Sequence, residues 1–175
     1  MLVHRAGALS KLGHNHLIRS DAETGQAWIA ADGRSAGLEL HLPVRSFVVD
    51  DPAARATAGP DFSAAVPDDA RSGTFNNMIG EHVLDGAQFP EIVVQYAGDV
   101  PSRESTPVRV LVTVKGQRHP LDVPMVVTIS DEQIAAAGET QLKQSELGIE
   151  PFSILGGAIA VVDEITVRFE IVATR

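Results

Sequence analysis

Val108-Arg109-Val110-Leu111-Val112-Thr113-Val114 and, seven residues on, Leu121-Asp122-Val123-Pro124-Met125-Val126-Val127-Thr128-Ile129 are the stretches that decide the fold. In the first, Val stands at every second position. In the second, Leu121, Val123, Met125, Val127 and Ile129 do the same. A period of two puts each set on one face of an extended strand. Together the two read as a hairpin turning at Gly116-Gln117, with Pro120 and Pro124 making the second strand irregular. The stripe recurs at Ile165, Val167, Phe169 and Ile171, and earlier at Leu38, Leu40, Leu42 and Val44. Four or more strands with one apolar face each need a common interior, and a sheet closed on itself supplies one without exposed edges. The expected class is all-β with a minor helix, the strands forming an antiparallel β-barrel.

The remaining chain fits around that barrel. Residues 2 to 47 read as short strands broken at Gly13, around Gly25 and at Asp32-Gly33. Asp50-Asp51-Pro52 is an N-cap and first-turn signal for a short helix over Ala53 to Ala58. From Ala70 to Leu84 the residues Phe75, Met78, Ile79, His82 and Val83 recur at spacings of three and four, which predicts a helix with one apolar face despite Gly73 and Gly80. Glu91 to Gly98 is a strand, Asp99 to Thr106 a polar loop, Ile134 to Gly138 an Ala-rich turn, Gln141 to Ile149 an extended piece and Ala158 to Ala173 a closing strand. No repeat or linker divides residues 1–175, so the expectation is one domain.

Composition narrows the partners. A formal charge of −9, with no basic cluster to override it, argues against nucleic acid. The absence of cysteine excludes disulfides and thiol chemistry. No apolar run has the length of a membrane span, and the first residues lack the basic-then-apolar pattern of an export signal, so the chain as given is expected in the cytoplasm, or in the periplasm if a signal peptide precedes it. One Trp, one Tyr and six Phe leave an interior lined mainly by aliphatic groups, which suits a flexible hydrocarbon.

Three turns add a family likeness. Leu84-Asp85-Gly86-Ala87-Gln88-Phe89-Pro90-Glu91-Ile92, the passage Val114-Lys115-Gly116 to Pro120-Leu121, and Ser145-Glu146-Leu147-Gly148-Ile149 resemble, in order and spacing, the corresponding passages of the YceI-like family. The likeness runs from about residue 8 to residue 173. It departs at Gln144-Ser145-Glu146-Leu147-Gly148, where the family usually carries a basic residue, Thr or Ser, then Asp-Phe-Gly. The resemblance implies an extended, lipocalin-like barrel with one helix packed on it, holding a polyisoprenoid or similar long-chain amphiphile.

Candidate chemistry is sparse. His14 and His16 share one side of a strand, the arrangement that delivers two imidazoles to one divalent ion, with His4, His41, His82, His119 or a carboxylate as third ligand. The alternative is that they hydrogen-bond the polar head of a ligand whose tail lies in the barrel. Ser145, His82 and Asp85 supply the letters of a hydrolase triad without its Gly-x-Ser-x-Gly turn. The leading expectation is a non-enzymatic carrier or store for a polyisoprenoid or isoprenoid quinone. It requires no cofactor or metal, and a homodimer is a further expectation. Its ligand-binding residues are expected at His14 and His16, at Leu40, Leu42 and Met78, at Val110 and Val112, at Val123 and Met125, and at Val167 and Phe169. Two alternatives stand beside it: a metal-binding protein or metal-dependent enzyme using His14 and His16, and a barrel filled by its own side chains that acts through its surface.

Overall fold

The computed structural model describes residues 1–101 and 106–174. Its strands are β1 (Leu2–Ala6), β2 (His16–Arg19), β3 (Thr24–Ile29), β4 (Ser35–Pro43), β5 (Val48–Val49), β6 (Glu91–Asp99), β7 (Thr106–Val114), β8 (Gln117–Ile129), β9 (Gln133–Lys143), β10 (Ser153–Ile154) and β11 (Ile159–Thr174), with helices α1 (Pro52–Thr57) and α2 (Asp68–Ile79). All pairings are antiparallel, and the strands join in the order β3-β4-β6-β7-β8-β9-β11-β1-β2-β5, with β10 also on β11. The class is the expected one, antiparallel β with little helix.

The β7–β8 hairpin turns at Lys115 and Gly116, both at positive φ (48° and 71°), the two-residue geometry that matches the twist of its strands. β8 keeps unbroken register with β7 from Gln117 to Met125 despite Pro120 and Pro124. β9 joins β8 only from Met125 onward, so both prolines lie where β8 has one neighbour and a missing N–H is tolerated.

Register fixes the inner face. Leu38, Leu40 and Leu42 stand opposite Tyr96, Val94 and Ile92. Val108 and Val110 stand opposite Val123 and Leu121. Met125 and Phe169 both lie beside Gly138. Two clusters divide the interior. One, at the end covered by the helices, joins Val44, Phe47, Met78, Val83, Leu84, Val114, Leu147 and Ile149. The other, midway along the strands, centres on Val108, Val110 and Val123, with Tyr96, Met125 and Phe169 against it.

Four expectations change. The sheet curls but its hydrogen-bonded path is open, ending at β3 and β5, so closure does not remove every edge. The second helix runs Asp68–Ile79 and stops at Gly80, whose ψ of 165° is extended; Val83 and Leu84 reach the core from the turn beyond, and His82 is exposed. Residues 134–138 are not a turn but part of β9, whose Ala and Gly side chains are too small for the period of two to show. The extended piece expected over 141–149 ends at Lys143 and gives way to a short 3-10 turn over Ser145–Leu147. The polar loop expected over 99–106 falls in part on residues 102–105, outside the described residues.

Candidate functional site

The open path creates a seam. β1 pairs with β11 from Ala160 to Thr166, so beyond that point β11 is held by β9 alone. β3 is held by β4 alone. A cleft of about 300 Å³ lies between these two edges, lined by Ala27, Trp28 and Ile29 of β3, Ile134 of β9, Ala173 and Thr174 of β11, and the β8–β9 turn. Its position follows from the pleat. Ala27 stands opposite Leu38, Ile29 opposite Ala36, and Ile134 opposite both Ile129 and Ala173. Ala27, Ile29, Ile134 and Ala173 of the cleft therefore lie on the inner face, whereas Trp28 and Thr174 alternate with them to the other side and Ser130, Asp131, Glu132 and Gln133 give the cleft a polar flank.

Beyond the cleft the interior is aliphatic and incompletely packed. Leu38, Val94, Tyr96, Met125, Val167, Phe169 and Ile171 face inward yet are only half-buried, whereas Val108, Val110 and Val123 behind them are buried. β9 makes the room. Ala136 and Gly138 face the interior, and a Cβ added at Gly138 would stand 2.4 Å from the Pro124 carbonyl oxygen and 2.8 Å from Phe169 Cζ. The Phe169 ring thus rests directly on the backbone.

Of the residues expected to line a site, Val110, Val112, Val123, Met125 and Phe169 come together in the middle cluster. Val167 lies between Phe169 and Ile165 on the same face of β11. Leu40 is buried opposite Val94, and Leu42 and Met78 belong to the helix-covered end. Polar groups also face inward beside them: Tyr96, whose hydroxyl donates to the Asp99 carbonyl, Thr140 opposite Val167, and His119. His119 stands opposite Val112 on β8, and its Nε2 is buried with no hydrogen-bond partner among the described residues. Its position two residues before Leu121 on the alternating stripe is the signal the sequence offers for it.

The His14 and His16 rings lie 6.2 Å apart between centroids, but β2 begins at His16, so His14 stands just before the strand on which both were expected. The surroundings of His16 are polar and internal to the chain. His16 Nδ1 donates to Asp50 Oδ2 at 2.6 Å, and its Nε2 is 3.4 Å from the Thr74 hydroxyl. Asp50 Oδ1 accepts from the Leu17 amide at 2.8 Å and from Arg55 at 2.5 Å, while Arg55 also donates to the carbonyls of Asn15 and Ala64. Burial pushes the Asp50 carboxyl up, but the hydrogen bonds of His16, Leu17 and Arg55 and the charge on His16 outweigh it and hold it below the usual carboxylate range. This network ties β2 to α1 and α2. Its members are not among the residues of the Val110–Val123 cluster.

No three His, Cys, Asp or Glu side chains converge as a metal site among the described residues. His4 packs edge-on against Phe62, and His41 bridges Glu39 and Glu91 on the outer face of β4 and β6. The letters of a triad are not brought together either. Ser145 donates to Asp163 Oδ2 at 2.5 Å, and this bond, with the Ser145 amide and the charge of Lys143, outweighs desolvation and holds the Asp163 carboxyl below its ordinary value.

Known proteins share this architecture. A protein of Burkholderia cenocepacia, BcnA, superposes with a TM-score of 0.64 over 99% of this chain and 96% of its own, at 16% identity. A polyisoprenoid binding domain from Saccharophagus degradans, implicated in plant cell wall breakdown, gives 0.55 over 98% and 91%, at 14% identity. The Campylobacter jejuni YCEI protein gives 0.54 over 91% and 84%, at 11% identity. Comparison with curated protein sequences finds no match. These likenesses establish the lipocalin-like fold, and the match to the YceI-like domain over residues 22–173 establishes the lineage: the chain belongs to the YceI-like family.

Proposed function

We propose that this protein binds a long-chain amphiphile, a polyisoprenoid or an isoprenoid quinone, on the inner face of its barrel, and that it carries or stores this ligand without transforming it. The observation that carries the reading is the seam. Two strand edges flank a cleft whose inward residues Ala27, Ile29, Ile134 and Ala173 share a face with half-buried aliphatic side chains, while the β8–β9 turn beside it is polar, so a flexible chain can enter sideways without unfolding the sheet. Each CH₂ transferred from water to such a surface contributes about 0.8 kcal/mol, enough for a tail of several isoprene units to be held with few polar contacts. Membership in the YceI-like family and the likeness to a polyisoprenoid binding domain support the same ligand class. His119 supplies a polar contact at the inner end of that path, suited to a hydroxyl, phosphate or quinone oxygen.

Solvent extraction of the purified protein followed by mass spectrometry tests the reading. A long-chain lipid is expected from the parent protein, or uptake of added polyprenol where none co-purifies, and Ala173→Trp, which fills the cleft, is expected to abolish either. A protein that yields no lipid and takes up no polyprenol is a self-filled barrel, and the reading fails.

A further inference from the structure

Far from the seam, at the opposite end of β11, two loops form an apolar tip. One is residues 7–13, between β1 and β2, and the other residues 153–158, leading into β11. They are joined by a hydrogen bond from the Leu9 amide to the Ala158 carbonyl at 2.8 Å. Gly7 makes the approach close enough, since a Cβ there would stand 2.4 Å from the Gly157 and Ala158 carbonyl oxygens. The tip carries Leu12 and Leu155, each 70% exposed, with Leu9 and Ile154 at 44% and 45%. Leu12 and Leu155 are the most exposed large apolar side chains described for the chain, and all four stand on adjoining loops. Such a concentration marks a contact surface.

We infer that this tip inserts into the interface of an anionic lipid membrane. Two features select lipid over a protein partner. The first is charge. The chain has a formal charge of −9, yet residues 1–18 contain Arg5 and Lys11 and no Asp or Glu, and residues 151–162 contain no charged side chain. Lys11 is exposed between Leu9 and Leu12, and Arg5 is anchored beneath it by its bond to the Gly13 carbonyl. The nearest acidic residues along the chain, Glu150 and Asp163, flank the second loop from outside, and Asp61 reaches Asn15 through its backbone carbonyl. Because charges are screened over about 8 Å at physiological salt, an anionic surface touching the tip meets its cations before the acidic remainder of the molecule. The second feature is size. Four projecting side chains are far fewer than the roughly 20–30 residues a side that a stable protein interface uses, whereas a few leucines and a flanking cation suffice for the boundary of headgroups and acyl chains.

Co-sedimentation with vesicles of phosphatidylcholine alone, and of equal parts phosphatidylcholine and phosphatidylglycerol, tests the inference independently of the barrel's contents, which are read by solvent extraction. The parent protein is expected to pellet with the mixed vesicles. Leu12→Ser with Leu155→Ser is expected to lower the partition coefficient at least about tenfold, since two exposed side chains lose their apolar contact. Lys11→Glu is expected to reduce the preference for the mixed vesicles several-fold, and Val172→Ser, exposed but distant, to change nothing. Since the chain has no cysteine, Leu155→Cys can be labelled uniquely with an environment-sensitive dye, whose emission is expected to shift to the blue on adding mixed vesicles. A parent protein that stays in the supernatant, a double serine variant that pellets as well as the parent, a label whose emission does not move, or a tip substitution that instead splits a dimer overturns the inference.

Discussion

His16 and Asp50, 34 positions apart, share a hydrogen bond of 2.6 Å that closes β2 onto the start of the helical region. The Asp50 side chain is wholly buried, and Arg55, beneath Phe62, supplies the compensating positive charge. Removing one partner of a buried pair leaves the other charged and unsolvated, at a cost of about 3–5 kcal/mol. Asp50→Asn is expected to lower stability by about 3 kcal/mol in denaturant unfolding, while Asp122→Asn, in an exposed pair with Arg109, changes it by less than about 1 kcal/mol. Equal effects would show that the network is not holding the helices to the sheet.

The same carboxyl sets an acid limit. Its folded value lies below the ordinary Asp value of 3.8, so its contribution is complete above pH 3.8 and disappears as pH falls through the lower folded value. Thermal midpoints are expected to fall below about pH 4, and more steeply for the parent than for Asp50→Asn. A parent and variant that lose stability in parallel would exclude Asp50 as a source of acid sensitivity.

His41 works in the opposite direction. Its Nδ1 is 3.0 Å from Glu91 and its Nε2 is 3.1 Å from Glu39, so both nitrogens donate and the imidazolium is favoured. The hydrogen bonds to Glu39 and then Glu91 raise its value above the ordinary 6.5. That stabilisation is complete below pH 6.5 and is lost as pH rises through the folded value. An NMR titration is expected to place the His41 midpoint above 6.5, and Glu39→Gln to bring it down. A midpoint unchanged by Glu39→Gln would mean that the bridge is absent in solution.

Trp28 lies across Gly37 on the outer face of the β3–β4 hairpin, so that a Cβ at residue 37 would stand 2.0 Å from the indole Cζ2. The indole covers a glycine that contributes no side chain to the pairing. Gly37→Ala is expected to swing the ring into water, red-shifting the emission of the single Trp and costing about 1 kcal/mol from the lost cross-strand contact. An unchanged spectrum would place the ring elsewhere.

What the sequence made legible follows the reach of each signal. The β7–β8 stripe, the Asp51-Pro52 helix start and the long last strand are local patterns, and each lies within a few residues of its expected place; Asp51 does accept the Ala54 amide as an N-cap. β9 was hidden because Ala135, Ala136, Ala137 and Gly138 give alternation nothing to act on. Periodicity carries the helix past Ile79 because Val83 and Leu84 keep the helical spacing after Gly80 has left the helix. The seam and the His16–Asp50 bond depend on which strands end first and on residues brought together from distant positions. Periodicity carries neither.

His119 is where the interior can be tested for its occupant. Its neighbours on the stripe, Leu121 and Val123, are aliphatic, and its partner across the ladder is Val112. A buried imidazole nitrogen without a hydrogen bond costs roughly 1–3 kcal/mol, so replacing it by an apolar side chain in a self-filled barrel should stabilise the fold or leave it unchanged. In a barrel that holds an amphiphile, the same change removes a contact to the ligand's polar oxygen. His119→Leu is therefore expected to raise or preserve the thermal midpoint of delipidated protein and to weaken retention of a polyprenol or quinone by about tenfold. His119→Gln, which keeps a polar atom near Nε2, is expected to recover part of that retention. If His119→Leu retains ligand as well as the parent, the inner end of the path meets only hydrocarbon, and the ligand's head must lie towards the seam between Ala27 and Ala173.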